Sequence, residues 1–404
     1  MAAGREDIMA ADAPDPSFRY FPQDYRWSHG LLGALNSAPW GGAEIGEVNR
    51  VGLALRDSPG DDMAWFRAWA AQAEKLEAAG RARVAEGHRR SGAQYLLRAC
   101  NYAQIGERFL TPKTPESDAA YRRAVANFRD AAANFSRPYI EPVEIPYEGI
   151  SLPGLLVHPD AVSGRSGPAP AMVFFDGLDV TKEIQFFKGV PELAARGIAV
   201  LLVDGPGNGE AIRFRGLPLH HETERYATPA YEFLAARGDI DPRRIGVMAI
   251  SLGGYYAPRA AAFEQRFACC FAWGAQWDYH AVWQRRFEAL AARGNPSLSV
   301  PAHHIFWVLG VADQEAALAK LRHFRLDGVV QRIDCPFLLL HGAGDEQIPL
   351  AEAQLCFDKV GSRHKTFRVF TREEGGFHHC QIDNLSIGVA AFADWLEDVL
   401  QPGR

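Results

Sequence analysis

No stretch of this 404-residue chain is long and apolar enough to span a bilayer, and its start, MAAGREDIMAADAPDP, has no basic segment followed by an apolar run. A soluble, cytoplasmic protein with no membrane partner is expected. Basic blocks are missing too. The 43 basic and 49 acidic residues, a formal net charge of −6, are interspersed without a stripe that could follow a phosphate backbone, so nucleic acid is not an expected partner. Cysteine is sparse: Cys100, Cys269, Cys270, Cys335, Cys356 and Cys380 are scattered, form no Cys-x-x-Cys and lie mostly in apolar surroundings, which points to reduced core thiols. The histidine pairs His220/His221 and His303/His304 come without an HExxH or a carboxylate spacing, and sequence neighbours point apart, so no metal is expected. The glycine-rich stretch DGPGNGE over 204–210 lacks both the Lys-Ser/Thr of a P-loop and GxGxxG spacing. It reads as a tight structural loop, and no cofactor is expected.

What the chain does contain changes character along its length. Residues 1–17 carry acid, Ala and Pro with no periodicity and are expected to form a disordered tail. Asp61 and Asp62 can cap a helix with Phe66, Trp69, Ala73 and Leu76 on one face and Gly80 near its end or at a tolerated break. A second periodic run covers about 91–110 and stops at Pro112 and Pro115; a third helix from Ser117 aligns Tyr121, Ala124, Phe128, Ala131 and Phe135. An all-helical domain over 18–140 follows. Strands are then expected at 143–147 and 152–158, followed by short continuous apolar runs at 171–175, 198–203, 245–250, 268–273 and 337–341 and a last strand at 366–370. Helical stretches lie between these strands, and an amphipathic helix over about 385–400 closes the chain. The alternation predicts one α/β domain over 141–404 with a mostly parallel, doubly wound sheet. Its longest interruption, about 275–333, far exceeds an ordinary βα connection and carries Trp277, Trp283 and other aromatics. It is expected to sit as a lid above the C-terminal edge of the sheet, although aromatics at such spacing also serve as a local core.

The stretch RIGVMAISLGGYYAPRAAA over 244–262 is strand, sharp turn and helix. A serine at such a turn sits in a strained backbone conformation, tolerable because Ala249 and Gly253 around it are small. The strain exposes Ser251 Oγ above the sheet edge, and the following helix aims its free N–H groups at the place where an oxyanion would form. This is the nucleophile elbow of the α/β-hydrolases, with Ala249 where glycine is usual. That fold places an acid and then a histidine on loops after late strands. Asp345 is the first carboxylate after the run 338–340 and its HGAG turn, and EGGFHHC at 374–380 follows the last strand, so either His378 or His379 is the general base. The second oxyanion donor should come from the loop after strand 171–175, so the N–H of Leu178 or Gly177 joins that of Leu252.

Beyond the elbow, GLDVTKE at 177–183, DGPGNGE at 204–210, DPRRIGVMAISLGGYYA at 241–257 and GGFHHCQ at 375–381, together with the aromatic helical segment, resemble one group of proteins. That group comprises 2,6-dihydroxypseudooxynicotine hydrolase, the yellowish-green heptaketide hydrolases and the FrsA-like esterases. The resemblance covers roughly residue 61 to the C-terminus. It implies an α/β-hydrolase with an N-terminal helical cap, often a homodimer, that hydrolyses a carbon–carbon bond next to a ketone in a small molecule, an esterase or acyltransferase being the close alternative. The position before Cys380 matches the catalytic histidine of the group, which selects His379. Carbon–carbon cleavage also asks more of a site than a triad, because the departing carbon must be protonated or its charge delocalised. A second ionisable group, Asp176, Asp179, Glu210 or Asp278, is therefore expected in the pocket, with aromatic walls supplied by Trp277 and Trp283.

Overall fold

Apolar runs without alternation need cover on both faces, and the chain supplies it with helices on each side of one sheet. The computed structural model describes residues 18–161, 167–293 and 299–401; the expected tail, 1–17, lies outside them. Eight strands are formed among the described residues: β1 (Ile140–Tyr147), β2 (Ile150–Val157), β3 (Ala169–Phe175), β4 (Ala199–Val203), β5 (Ile240–Ile250), β6 (Cys270–Trp273), β7 (Phe337–Gly342) and β8 (Lys365–Phe370). Their order is β1-β2-β4-β3-β5-β6-β7-β8, with β2 antiparallel to both of its neighbours and every other pair parallel. This is the topology of an α/β-hydrolase. The β1–β2 hairpin closes through Glu148 and Gly149, both at positive φ, as a two-residue turn between twisted strands requires.

Residues of each parallel strand divide between the two faces. Ala171, Val173 and Phe175 of β3 pack with the helices Glu224–Ala235 and Gly253–Phe263, while Met172 and Phe174 pack with Val190–Ala195 and Leu385–Leu400. The second core continues into the N-terminal helices α1 (Tyr25–Leu35), α2 (Ile45–Ala54), α3 (Asp62–Ala85), α4 (Arg89–Glu107) and α5 (Pro115–Asn134), where Trp27, Trp65, Trp69 and Tyr102 are fully buried. A shared apolar core thus fixes this segment to the hydrolase sheet. No helix among the described residues is long and apolar enough to cross a membrane.

Local chemistry accounts for the helix ends. Asp61 accepts hydrogen bonds from the Met63 and Ala64 amides at 3.0 Å each, capping α3, and Thr114 with Ser117 forms a capping box ahead of α5. Gly80 does not end α3. A Cβ there would stand 3.0 Å from the Gly92 carbonyl, so the glycine instead lets α3 and α4 approach closely. Helices α1 and α2 escaped sequence reading because each carries two glycines in its interior, which lowers helix propensity. In the folded chain Gly30 faces the Trp65 ring and Gly52 the Tyr20 ring, and side chains there would collide with both.

The insertion after β6 forms the helices Tyr279–Arg293, His304–Leu309 and Gln314–Leu321. Trp283 and Phe287 are buried with Ile305 and Leu309 in the core beneath it.

Candidate active site

β5 ends at Ile250, and the chain turns through Ser251 at φ 62 into the helix Gly253–Phe263. A Cβ on Gly253 would fall 2.5 Å from that of Ala249, and one on Gly254 1.8 Å from the Gly274 carbonyl. The two glycines therefore let the helix start directly beneath the β6 loop. Asp179, Ser251 and Cys380, three of the five non-glycine residues with positive φ among the described residues, line one cavity. Backbone strain of this kind persists only where the surroundings hold it.

Asp345 follows β7 and is held by the amides of Gln347 at 2.8 Å and Ile348 at 2.9 Å. The glycines before it have a packing reason. A Cβ on Gly344 would enter the Phe377 ring, and one on Gly342 would press on the Phe377 carbonyl, so both must be absent for the 377–379 loop to close over the end of β7. That closure brings His379 to the site. Its Nε2 is 2.8 Å from Ser251 Oγ and its Nδ1 is 2.7 Å from Asp345 Oδ2, while the His378 ring packs edge-on against Phe377. Burial disfavours charge on both Asp345 and His379. The attraction between them wins in each case, holding the carboxyl below its usual range and raising the imidazole above 6.5.

Two backbone amides in the loops around Ser251 are candidate donors. Among the described residues the amides of Leu252 and Leu178 are bonded to no acceptor, whereas Gly177 N–H is taken by Asp176 Oδ1 at 2.6 Å. A Cβ on Gly177 would stand 2.8 Å from that of Ser251 and 3.2 Å from Leu252 N, so only glycine allows this approach. The buried Asn208 donates to the Gly177 carbonyl at 2.7 Å and to the Val180 carbonyl at 2.9 Å. The Gly177 carbonyl and the Leu178 N–H belong to one planar trans peptide, so holding the first aims the second. Arg108, just after α4, fixes the next two peptides through the carbonyls of Leu178 and Asp179 at 2.9 and 3.0 Å.

The cavity above Ser251 is walled by the N-terminal helices through residues such as His29, Asn101 and Arg108, and by the insertion through Gln276, Tyr279 and Arg286. The four acids expected in it fare differently. Asp176 and Asp179 line it, but Asp176 is paired with Lys188 at 2.6 Å, and Asp179 takes two bonds from Arg213, at 2.6 and 2.9 Å, and one from His304 Nε2 at 3.1 Å. Against the cost of burial, Arg213 and His304 hold the Asp179 carboxyl far below its usual range. His304 is itself pushed down by burial to about 4, which suits a neutral ring that donates to Asp179 and accepts from Thr111 Oγ at 2.7 Å. Arg213 also bonds Glu107 at 2.7 Å, so the loop after β3, the end of α4 and the insertion meet at Asp179.

Glu210 and Asp278 do not line the cavity. Glu210 is drawn to Lys182 at 2.6 Å in a buried group with Asp204 and Glu183, and Asp278 caps the amide of Ala281 and pairs with Arg325 at 3.2 Å. Trp277 and Trp283 are likewise absent from its wall, because both belong to the core under the insertion. Sequence reasoning missed His29, Arg108, Asn208 and Arg286. Periodicity gives no sign of them, since each acquires its role from an element distant in the chain.

Residues 184–403 match the model of the prolyl oligopeptidase family. Hydrolase acrC of Aspergillus aculeatus is 31% identical, the match covering 96% of this chain and 99% of that protein. The 20-hydroxy-prefusarin hydrolase FUS2 of Gibberella moniliformis is 29% identical over 94% of this chain and 97% of its own. The 2,6-dihydropseudooxynicotine hydrolase of Paenarthrobacter nicotinovorans is 30% identical over 87% and 89%. A crystal structure of 2,6-dihydroxy-pseudo-oxynicotine hydrolase superposes with a TM-score of 0.76 at 27% identity, covering 92% of this chain and 97% of that one.

Proposed function

Because the chain belongs to the prolyl oligopeptidase family and is a hydrolase of the 2,6-dihydroxypseudooxynicotine hydrolase group, we propose that it cleaves a carbon–carbon bond next to a ketone through an acyl-enzyme on Ser251. His379 Nε2 takes the serine proton as Oγ adds to the carbonyl, and Asp345 stabilises the imidazolium. The Leu252 and Leu178 amides receive the oxyanion. Collapse breaks the bond to the departing carbon, which takes the proton from His379 and leaves as a neutral ketone or arene. Water, deprotonated by the same histidine, then releases the acyl group as an acid.

The observation that carries this reading is the charged wall of the cavity. An ester needs only a triad and an oxyanion hole, whereas a departing carbon must be protonated or its charge delocalised. Of the cations lining the space above Ser251, Lys188 is paired with Asp176 and Arg108 with two carbonyls, while Arg286 lies there without a carboxylate at ion-pair distance among the described residues. The helical segment closes that space as a cap. A β-diketone is expected to be hydrolysed with kcat/KM at least comparable to that of a matched aryl ester. Turnover of esters with diketones and hydroxyaryl ketones untouched would replace this reading with an esterase.

Asn208 is assigned as a positioning residue of the oxyanion hole. Asn208→Ala should lower kcat by about tenfold to a hundredfold with KM nearly constant, because aim is lost at the donor that serves the transition state. Affinity for a trifluoromethyl ketone should fall in parallel. Equal losses in substrate binding and in transition-state-analogue binding would instead indicate general damage to the loop.

A further inference from the structure

The cations around the cavity differ in how their charge is met. Lys188 is paired with Asp176 at 2.6 Å, and Arg108 is bonded to two carbonyls with the charges of Asp179, Glu107 and Asp176 nearby. Arg286, on the insertion helix Tyr279–Arg293, has no carboxylate within ion-pair distance among the described residues. Its guanidinium lies 5.1 Å over the Trp283 ring and reaches Gln347 Oε1 at 3.5 Å, a long contact. The carboxylates whose charge it senses are committed elsewhere: Asp345 to His379 at 2.7 Å and Glu352 to Arg285 at 2.5 Å. Tyr279, which hydrogen-bonds the guanidinium, and Tyr25 are its remaining polar neighbours, and burial lowers the guanidinium pKa as expected for a cation without a carboxylate beside it.

Polar atoms without partners gather at the same wall. Gln347 Nε2, a donor with the Tyr25 side chain nearby, and Gln276 Oε1, an acceptor, are both buried and make no well-formed hydrogen bond among the described residues, and both residues line the cavity with Arg286. An unmet donor or acceptor in a protein interior is costly unless a ligand completes it. Gln276 stands two residues after Gly274, which packs against the Ser251 backbone, and Gln347 two residues after Asp345. The unmatched charge and the unmatched amides thus flank the proposed nucleophile.

We propose that Arg286 and Gln347 Nε2 form a subsite for an anionic group, a carboxylate on the ketone substrate, with Gln276 Oε1 accepting from a hydroxyl or N–H of the same molecule. A carboxylate takes two parallel bonds from a guanidinium and accepts from an amide as well, which matches this donor set. The proposal rests on the hydrolase reading for what happens to the substrate, but the subsite itself is tested by binding. In a Ser251→Ala background, which retains the cavity and cannot turn over, the probes are benzoylpyruvate and its amide, two β-diketones that differ in the carboxylate. Benzoylpyruvate should bind about tenfold or more tightly than the amide. The ratio should collapse toward one with Arg286→Gln and be largely kept with Arg286→Lys, which retains the charge and shows that the fold tolerates substitution there. Equal binding of the two probes, binding of neither, or a ratio that survives Arg286→Gln overturns the subsite. Turnover by the wild-type protein is measured separately. Selective binding without cleavage of either diketone would leave the subsite standing and remove the carbon–carbon reading.

Discussion

Ser251→Ala is expected to reduce kcat on the order of 10³-fold or more while the protein stays folded. The hydroxyl is the only group removed, and its 2.8 Å hydrogen bond to His379 goes with it. Retention of more than a tenth of the activity in a steady-state assay would rule Ser251 out as the nucleophile. Backbone conformation adds a second, independent expectation. At φ 62 any residue with a Cβ is strained, by about 1 to 2 kcal/mol relative to the right-handed region, and glycine escapes that cost. Ser251→Gly should therefore be inactive yet melt no lower than Ser251→Ala. A melting temperature clearly below that of the alanine variant would show that packing of the Ser251 Cβ against the Gly177 loop outweighs the strain.

Asp345→Asn is expected to cost about 10⁴-fold in kcat with little change in the fold, because an amide in place of the carboxylate no longer fixes the imidazole tautomer or stabilises its cation. The pH profile distinguishes this from simple damage. The proposed base, His379, can work only when neutral, and its pKa lies above 6.5 because, against burial, the Asp345 charge chiefly raises it. In the wild type kcat/KM should therefore rise with pH through an inflection above 6.5. Removing the charge leaves burial, which favours the neutral ring, so the residual activity of Asp345→Asn should have its inflection at lower pH. An inflection that stays in place would mean that another group, such as Cys380 with its Sγ 3.4 Å from His379 Nε2, sets the histidine.

Much of this was legible before folding. The strands of the parallel sheet were readable because both faces are buried and their apolar runs are continuous. The elbow was readable because a serine between strand and helix needs small neighbours, and Ala249, Gly253 and Gly254 supply them. Asp345 stood out behind glycines whose purpose, admitting the Phe377 loop, appears only in three dimensions. His378 and His379 were equivalent as residue types, and the resemblance rather than spacing favoured the second. Helices α1 and α2 were hidden by glycines that lower propensity locally yet admit aromatic rings from elsewhere in the chain.

What the sequence determined by itself, then, are features set by neighbours along the chain: apolar periodicity, capping residues, the crowding at a tight turn and the order of elements. Which ionisable groups remain available for chemistry was decided by the tertiary structure alone. Asp179 and Glu210 are acids that the sequence offers to the pocket, one in the loop after β3 and the other shortly after β4, but Arg213 with His304 and Lys182 with Arg129 engage them. Arg286, unremarkable on the insertion helix Tyr279–Arg293, has no carboxylate within ion-pair distance among the described residues. The physical reason is that a charge in a low-dielectric interior is governed by what lies within a few ångströms, and those neighbours come from segments far apart in the chain.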